Sequence, residues 1–77
     1  MSAFIVVRAE AGKEKTIAEE MAEIDQILEV YLITGQYDVL AKIGIDDPEK
    51  VIDLVTDKIL QIKGIVETRT IFSKKVK

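Results

Sequence analysis

The chain contains no cysteine and no histidine among its 77 residues. Without thiols a disulfide framework is excluded, and without either ligand type a zinc site has almost nothing to bind through. The general base that small enzymes use most often is missing too, so neither an enzyme nor a metal or other cofactor is expected. The glycines, Gly12, Gly35, Gly44 and Gly64, stand apart from one another, which leaves no glycine-rich phosphate loop. Long hydrophobic runs are also lacking. The longest, Ala3 to Val7, is far too short to cross a bilayer, and no basic segment precedes it as in a signal peptide. A soluble, cytoplasmic setting without a membrane partner is the expectation, and the absence of cysteine agrees with a reducing interior. Positive charge is in the minority. The formal net charge of −3 offers no footprint for phosphate backbones, so no direct nucleic-acid contact is expected. The basic tail of Lys74, Lys75 and Lys77 reads as a solvated terminus. Asparagine is absent while lysine and glutamate are plentiful, a bias found in hot-growing sources.

What remains is a chain of one domain, residues 1–77, rich in apolar residues. It is near the size at which a single core only just offsets chain entropy. With no disulfide or metal to help, self-association is the available stabiliser.

Ala3 to Ala9 reads as a strand of β-formers bounded by Glu10-Ala11-Gly12. From Lys13 to about Glu23, Ile17, Met21 and Ile24 recur at helical spacing, with Ala18 and Ala22 widening the stripe. Ile27 to Thr34 reads as a second strand, Gly35-Gln36-Tyr37 as a hairpin, and Asp38 to Ile45 as a third strand. Asp47 then stands as an N-cap with Pro48 at the first helical position, where its missing N–H costs nothing. Ile52, Val55, Ile59 and Ile62 mark one face of this second helix, and Gly64 stands where a left-handed C-terminal cap belongs. Ile65 to Ser73 is the last strand. The βαβ order occurs twice, which predicts an α+β, ferredoxin-like βαββαβ sandwich: a four-stranded antiparallel sheet with both helices on one face.

An antiparallel sheet with one wet face should alternate apolar and polar residues. Here both sides of the strands are largely apolar. Ala3, Ile5, Val7 and Ala9 oppose Phe4, Val6 and Arg8. Leu28, Val30 and Leu32 oppose Ile27, Tyr31 and Ile33. Val39, Ala41, Ile43 and Ile45 oppose Leu40, Lys42 and Gly44. Two helices cover one side only, so a second copy packed sheet against sheet is expected on the other.

The polar interruption of this apolar chain is Thr34-Gly35-Gln36-Tyr37-Asp38. A free amino acid needs N–H groups or cations for its carboxylate and carboxylate or hydroxyl oxygens for its ammonium. Gly35, Gln36 and Tyr37 offer backbone donors in a turn, and Asp38 offers a counter-charge. Thr68 and Thr70, two apart on the last strand, add hydroxyls on one face, with Arg69 on the other. The same Gly-x-x-Asp spacing also describes an ordinary hairpin, and threonine is a good strand former. The spacing by itself leaves both readings open. RNA recognition on the sheet is disfavoured, since Asp38-Val39-Leu40-Ala41-Lys42-Ile43 lacks an aromatic ladder.

Thr34 to Leu40 and Gly64-Ile65-Val66-Glu67-Thr68-Arg69-Thr70 resemble the hairpin and last strand of the effector-binding (RAM) domain of Lrp/AsnC, or feast/famine, transcription regulators. The resemblance covers essentially the whole chain. It implies dimers built through the sheets, assembly of dimers into an octamer or similar ring, and a small amino acid bound between dimers. The family's ligand loop falls on Gly35, Gln36, Tyr37 and Asp38, and its last-strand contacts on Thr68 and Thr70. Family regulators carry a helix-turn-helix ahead of this domain, which here begins at Met1. The resemblance therefore implies a stand-alone, non-catalytic sensing and oligomerisation module that modulates full-length regulators. The alternatives are a ligand-independent assembly partner of such regulators and a small dimeric ferredoxin-like enzyme.

Overall fold

The computed structural model describes residues 2–77. The elements run β1 (Ser2–Ala9), α1 (Glu14–Ala22), β2 (Ile27–Leu32), β3 (Val39–Ile43), α2 (Pro48–Asp57), a 3-10 helix (Ile59–Gln61) and β4 (Ile65–Ser73). All strand pairs are antiparallel, in the order β2-β3-β1-β4. This is the ferredoxin-like arrangement predicted above. The core lies between one face of the sheet and the helices. Ile5, Val7 and Val39 from the strands meet Ile17 and Met21 of α1, Val51 of α2 and Ile59 of the 3-10 helix, all without solvent exposure. No helix among the described residues is long and apolar enough to cross a membrane.

The start of α2 follows local chemistry. The Asp47 carboxylate accepts from the Glu49 N–H at 3.0 Å, and Pro48 occupies the first turn, where an N–H has no helical partner. The rest of α2 departs from expectation. The helix stops at Asp57, its buried residues are Val51, Leu54 and Val55, and Ile52 is 55% exposed. The chain then tightens into the 3-10 helix, whose different pitch brings Ile59 back into the core. Gly64 does adopt a left-handed φ of +95°, but it follows the 3-10 helix and does not cap α2. In α1 the buried residues are Ile17, Ala18 and Met21, whereas Ala22 faces solvent.

The second strand also differs. Its register shifts between Ile27 and Glu29, so Leu28 is an extra residue and the alternation reverses there. Ile27, Val30 and Leu32 share the helix-covered face with Ile43, Ala41 and Val39, while Glu29 and Tyr31 share the open face with Lys42 and Leu40. Leu28 crosses the glycine of the third-strand end so closely that a Cβ on Gly44 would stand 2.9 Å from its side chain. β2 ends at Leu32 and β3 begins at Val39, shorter than the runs to Thr34 and from Asp38 to Ile45, because the chain between them leaves the ladder.

The open face carries a central apolar band, formed by Phe4 and Val6 of β1, Leu40 of β3, Tyr31 of β2 and Ile71 of β4. Tyr31 and Ile71 are 51% and 43% exposed. Charged residues border the band: Arg8, Glu67 and Arg69 at one end, Glu29 and Lys42 toward the β2 side. The second face is thus apolar at its centre and charged at its rim.

Candidate functional site

The segment linking β2 to β3 is built around Gly35, whose φ of +114° is open to glycine and strained for a residue with a Cβ. Apart from its own chain neighbours, no residue stands within 4 Å of where its Cβ would be, so a ligand can approach this backbone closely. The root of the hairpin is fixed by three hydrogen bonds through Asp38. Its N–H donates to the Val7 carbonyl at 2.9 Å, its carbonyl accepts from the Ile33 N–H at 2.9 Å, and its Oδ2 accepts from the Ala9 N–H at 2.8 Å. The last of these has a topological cause. β1 continues past Val7, whose partner Val39 is the last on β3, so the Ala9 N–H has no ladder acceptor there and takes a carboxylate oxygen instead.

On the other side of β1, the register with β4 shifts between Arg8 and Ala9, which makes Val66 a bulge residue opposite no single partner. Just before that shift, Arg8 stands directly across from Glu67 in the regular ladder. Its Nε donates to Glu67 Oε1 at 3.2 Å, and Arg69 Nε lies 3.8 Å from Glu67 Oε2. Together with Gln36 and Tyr37 these three residues line an open cavity of about 240 Å³ at the hairpin end of the open face. Farther along that face Tyr31 donates to Glu29 Oε1 at 2.9 Å. That hydrogen bond, and then the charge of Glu29, hold the Tyr31 phenol above its ordinary pKa.

The residues expected at the site fall into two groups. Gln36 and Tyr37 line the cavity, Gly35 forms the loop beside it, and Asp38 ties that loop to β1. Thr68 and Thr70 pair with Val7 and Ile5, whose side chains point to the helices, so both threonines lie on the opposite face of the sheet from the cavity. Arg8, Glu67 and Arg69 were missed from the sequence. A signal existed: Arg8 is a charged residue on a strand face that otherwise reads as apolar, and the βαββαβ order brings the first strand beside the last, which carries Glu67 and Arg69. The register of the two strands, however, which pairs Arg8 with Glu67 and Val6 with Arg69, is not readable from either strand alone.

Comparison with known proteins gives a consistent picture. The family model of the Lrp/AsnC ligand binding domain matches residues 2–77. A curated relative, the HTH-type transcriptional regulator FL11 of Pyrococcus horikoshii, is 39% identical over 70 residues, which is 91% of this chain and 46% of the regulator. The chain spans about half the length of the curated relatives it matches. Among solved structures, TTHA0845 from Thermus thermophilus superimposes with a TM-score of 0.90 at 33% identity, covering 99% of this chain and 95% of that one. A transcriptional regulator of Neisseria meningitidis, NMB0573, solved as a complex with L-Met, shares the fold with a TM-score of 0.79 at 24% identity. That match covers 97% of this chain and 50% of the regulator.

Proposed function

The chain belongs to the Lrp/AsnC ligand-binding domain family of transcription regulators, and on that premise we propose that it is a non-catalytic module that binds a small amino acid and couples binding to assembly. The observation that carries this reading is the junction of an accessible glycine backbone at Gly35, a fixed hairpin root at Asp38 and a polar cavity, all beside an uncovered apolar band. The L-Met complex of the related Neisseria regulator supports an amino acid as the ligand class.

The open face supplies the assembly half of the proposal. Phe4, Val6, Leu40 and Ile71 at its centre and charged residues at its edge have the anatomy of a protein interface, an apolar core inside a polar rim. A second copy placed sheet to sheet buries this band in a two-fold dimer. Thr68 and Thr70 lie across the sheet from Gln36 and Tyr37. Both groups serve one ligand only if it is enclosed by more than one chain, the loop coming from one subunit and the threonines from another. Such a ligand stabilises the assembly by its preference for the assembled state. The same surface offers a site for mixed assembly with full-length regulators.

The test is a thermal melt in the presence of each of the twenty amino acids, paired with sedimentation at low micromolar concentration. One or a few amino acids should raise the melting temperature and shift the sedimentation profile together. A folded monomer that responds to none of them would refute the reading, and co-assembly with a regulator that no amino acid alters would leave only the ligand-independent partner.

A further inference from the structure

The cavity lined by Arg8, Gln36, Tyr37, Glu67 and Arg69 has a charge imbalance that its own residues do not resolve. Two guanidiniums share one carboxylate, so one formal positive charge is uncompensated within it. Both approach Glu67 through Nε, at 3.2 and 3.8 Å, and the planar fork of terminal nitrogens on each arginine is left for another acceptor. The remaining walls are neutral hydrogen-bonding groups, the Gln36 amide and the Tyr37 phenol. An ammonium entering here would add a second excess positive charge. A carboxylate would bring the cluster to neutrality and meet the geometry that guanidinium forks bind best.

We infer that this cavity is a carboxylate subsite, in which Arg8 and Arg69 take the carboxylate of a small ligand and Glu67 holds the two guanidiniums apart and in register. The inference deepens the amino-acid reading above and rests on it for the ligand being an amino acid; the recognition chemistry itself requires only a small monocarboxylate. It assigns the ligand's carboxylate to side chains of the first and last strands in addition to the hairpin backbone. The same chemistry is offered by an acidic side chain of a second copy, and the experiment separates the two sources.

The measurement is the Nε–Hε resonances of Arg8 and Arg69 in ¹⁵N-labelled protein, assigned with Arg8→Gln and Arg69→Gln. They are followed during titration with sodium acetate against sodium chloride at equal ionic strength, and then with any amino acid that raises the melting temperature and with its carboxamide. Acetate should move both resonances saturably and chloride should not. The carboxamide, and Arg69→Gln with the amino acid itself, should each bind about tenfold more weakly or worse. Acetate saturation with no response to any amino acid upholds the subsite and removes the amino-acid reading. Amino-acid binding that leaves both resonances still, or that survives undiminished in both arginine variants, overturns the subsite and keeps the reading. A sedimentation change in Arg69→Gln with unchanged ligand affinity assigns the cation to contact between copies and overturns the subsite as well.

Discussion

The two faces of the sheet are built from alternate residues of the same strands, yet they do different work. On the helix-covered face, Ala3, Ile5, Val7, Val39 and Ala41 are wholly buried. One residue along in each case, Phe4, Val6 and Leu40 are only half-buried, and Ile71 opposite Phe4 is 43% exposed. Because side chains alternate along a strand, the first face can hold the fold while the second remains free to associate. Residues of similar volume and chemistry should therefore respond differently to the same truncation according to their parity alone.

The largest effect expected is at Ile5. Replacing it with alanine leaves a cavity in a site packed from the sheet and both helices, and should cost about 2–5 kcal/mol in urea unfolding. Val6→Ala, its immediate neighbour on the open face, should cost well under about 1.5 kcal/mol in dilute protein, with a loss that grows with protein concentration as assembly sets in. Equal and concentration-independent losses at the two positions would erase the distinction between the faces. A charge placed in the middle of the band sharpens it. Leu40→Lys should preserve the far-ultraviolet circular dichroism spectrum while shifting the sedimentation profile toward single chains, since an interface core tolerates unpaired charge poorly.

The fold was legible because both periodicities are strong and the punctuation is chemically specific: Pro48 behind Asp47 gives the start of α2 without ambiguity. The apolar stripe of α2 was not, and for a physical reason. Val51, Ile52, Leu54 and Val55 permit two helical phases, and continuing the helix through Ile59 and Ile62 favours the one containing Ile52. The chain changes pitch at Lys58, which breaks that continuity and selects Val51 and Leu54. The Leu28 bulge defeated strict alternation in β2 in the same way, since one inserted residue reverses every assignment before or after it. At the site, the hairpin was visible as a glycine and an acid between two apolar runs. The charged cluster was not, because Arg8 and Glu67 are 59 positions apart and meet only through the register of the first strand against the last.

Asp38 joins the two regions, and an intermediate effect is expected there. Asp38→Ala removes the acceptor of the partly buried Ala9 N–H and should cost about 1–3 kcal/mol. Asp38→Asn keeps an oxygen for that N–H and should recover most of the loss. The pair also separates positioning from charge. If Asp38 serves the ligand by holding the hairpin against β1, the asparagine variant retains the amino-acid-induced rise in melting temperature. If its charge meets the ligand's ammonium, the rise is lost in both variants although stability is restored in one.

The smallest effect on stability is expected in the charged cluster proposed to take the carboxylate. Arg8, Glu67 and Arg69 form ion pairs whose side chains are 47%, 38% and 67% exposed, and solvent screening reduces such pairs to about 0–1 kcal/mol. Glu67→Gln should accordingly leave the urea midpoint almost unchanged. Its amide still accepts a hydrogen bond from Arg8 but no longer offsets the second guanidinium, so the positive charge in the cavity rises by one. Retention of acetate is then expected, with a steeper dependence on ionic strength, because attraction to the anion becomes more Coulombic and less geometric. A Glu67→Gln variant that unfolds readily would move this cluster from the binding surface into the structural frame. In that case the contrast between a face that folds the chain and a face that meets its partners would stop at the apolar band.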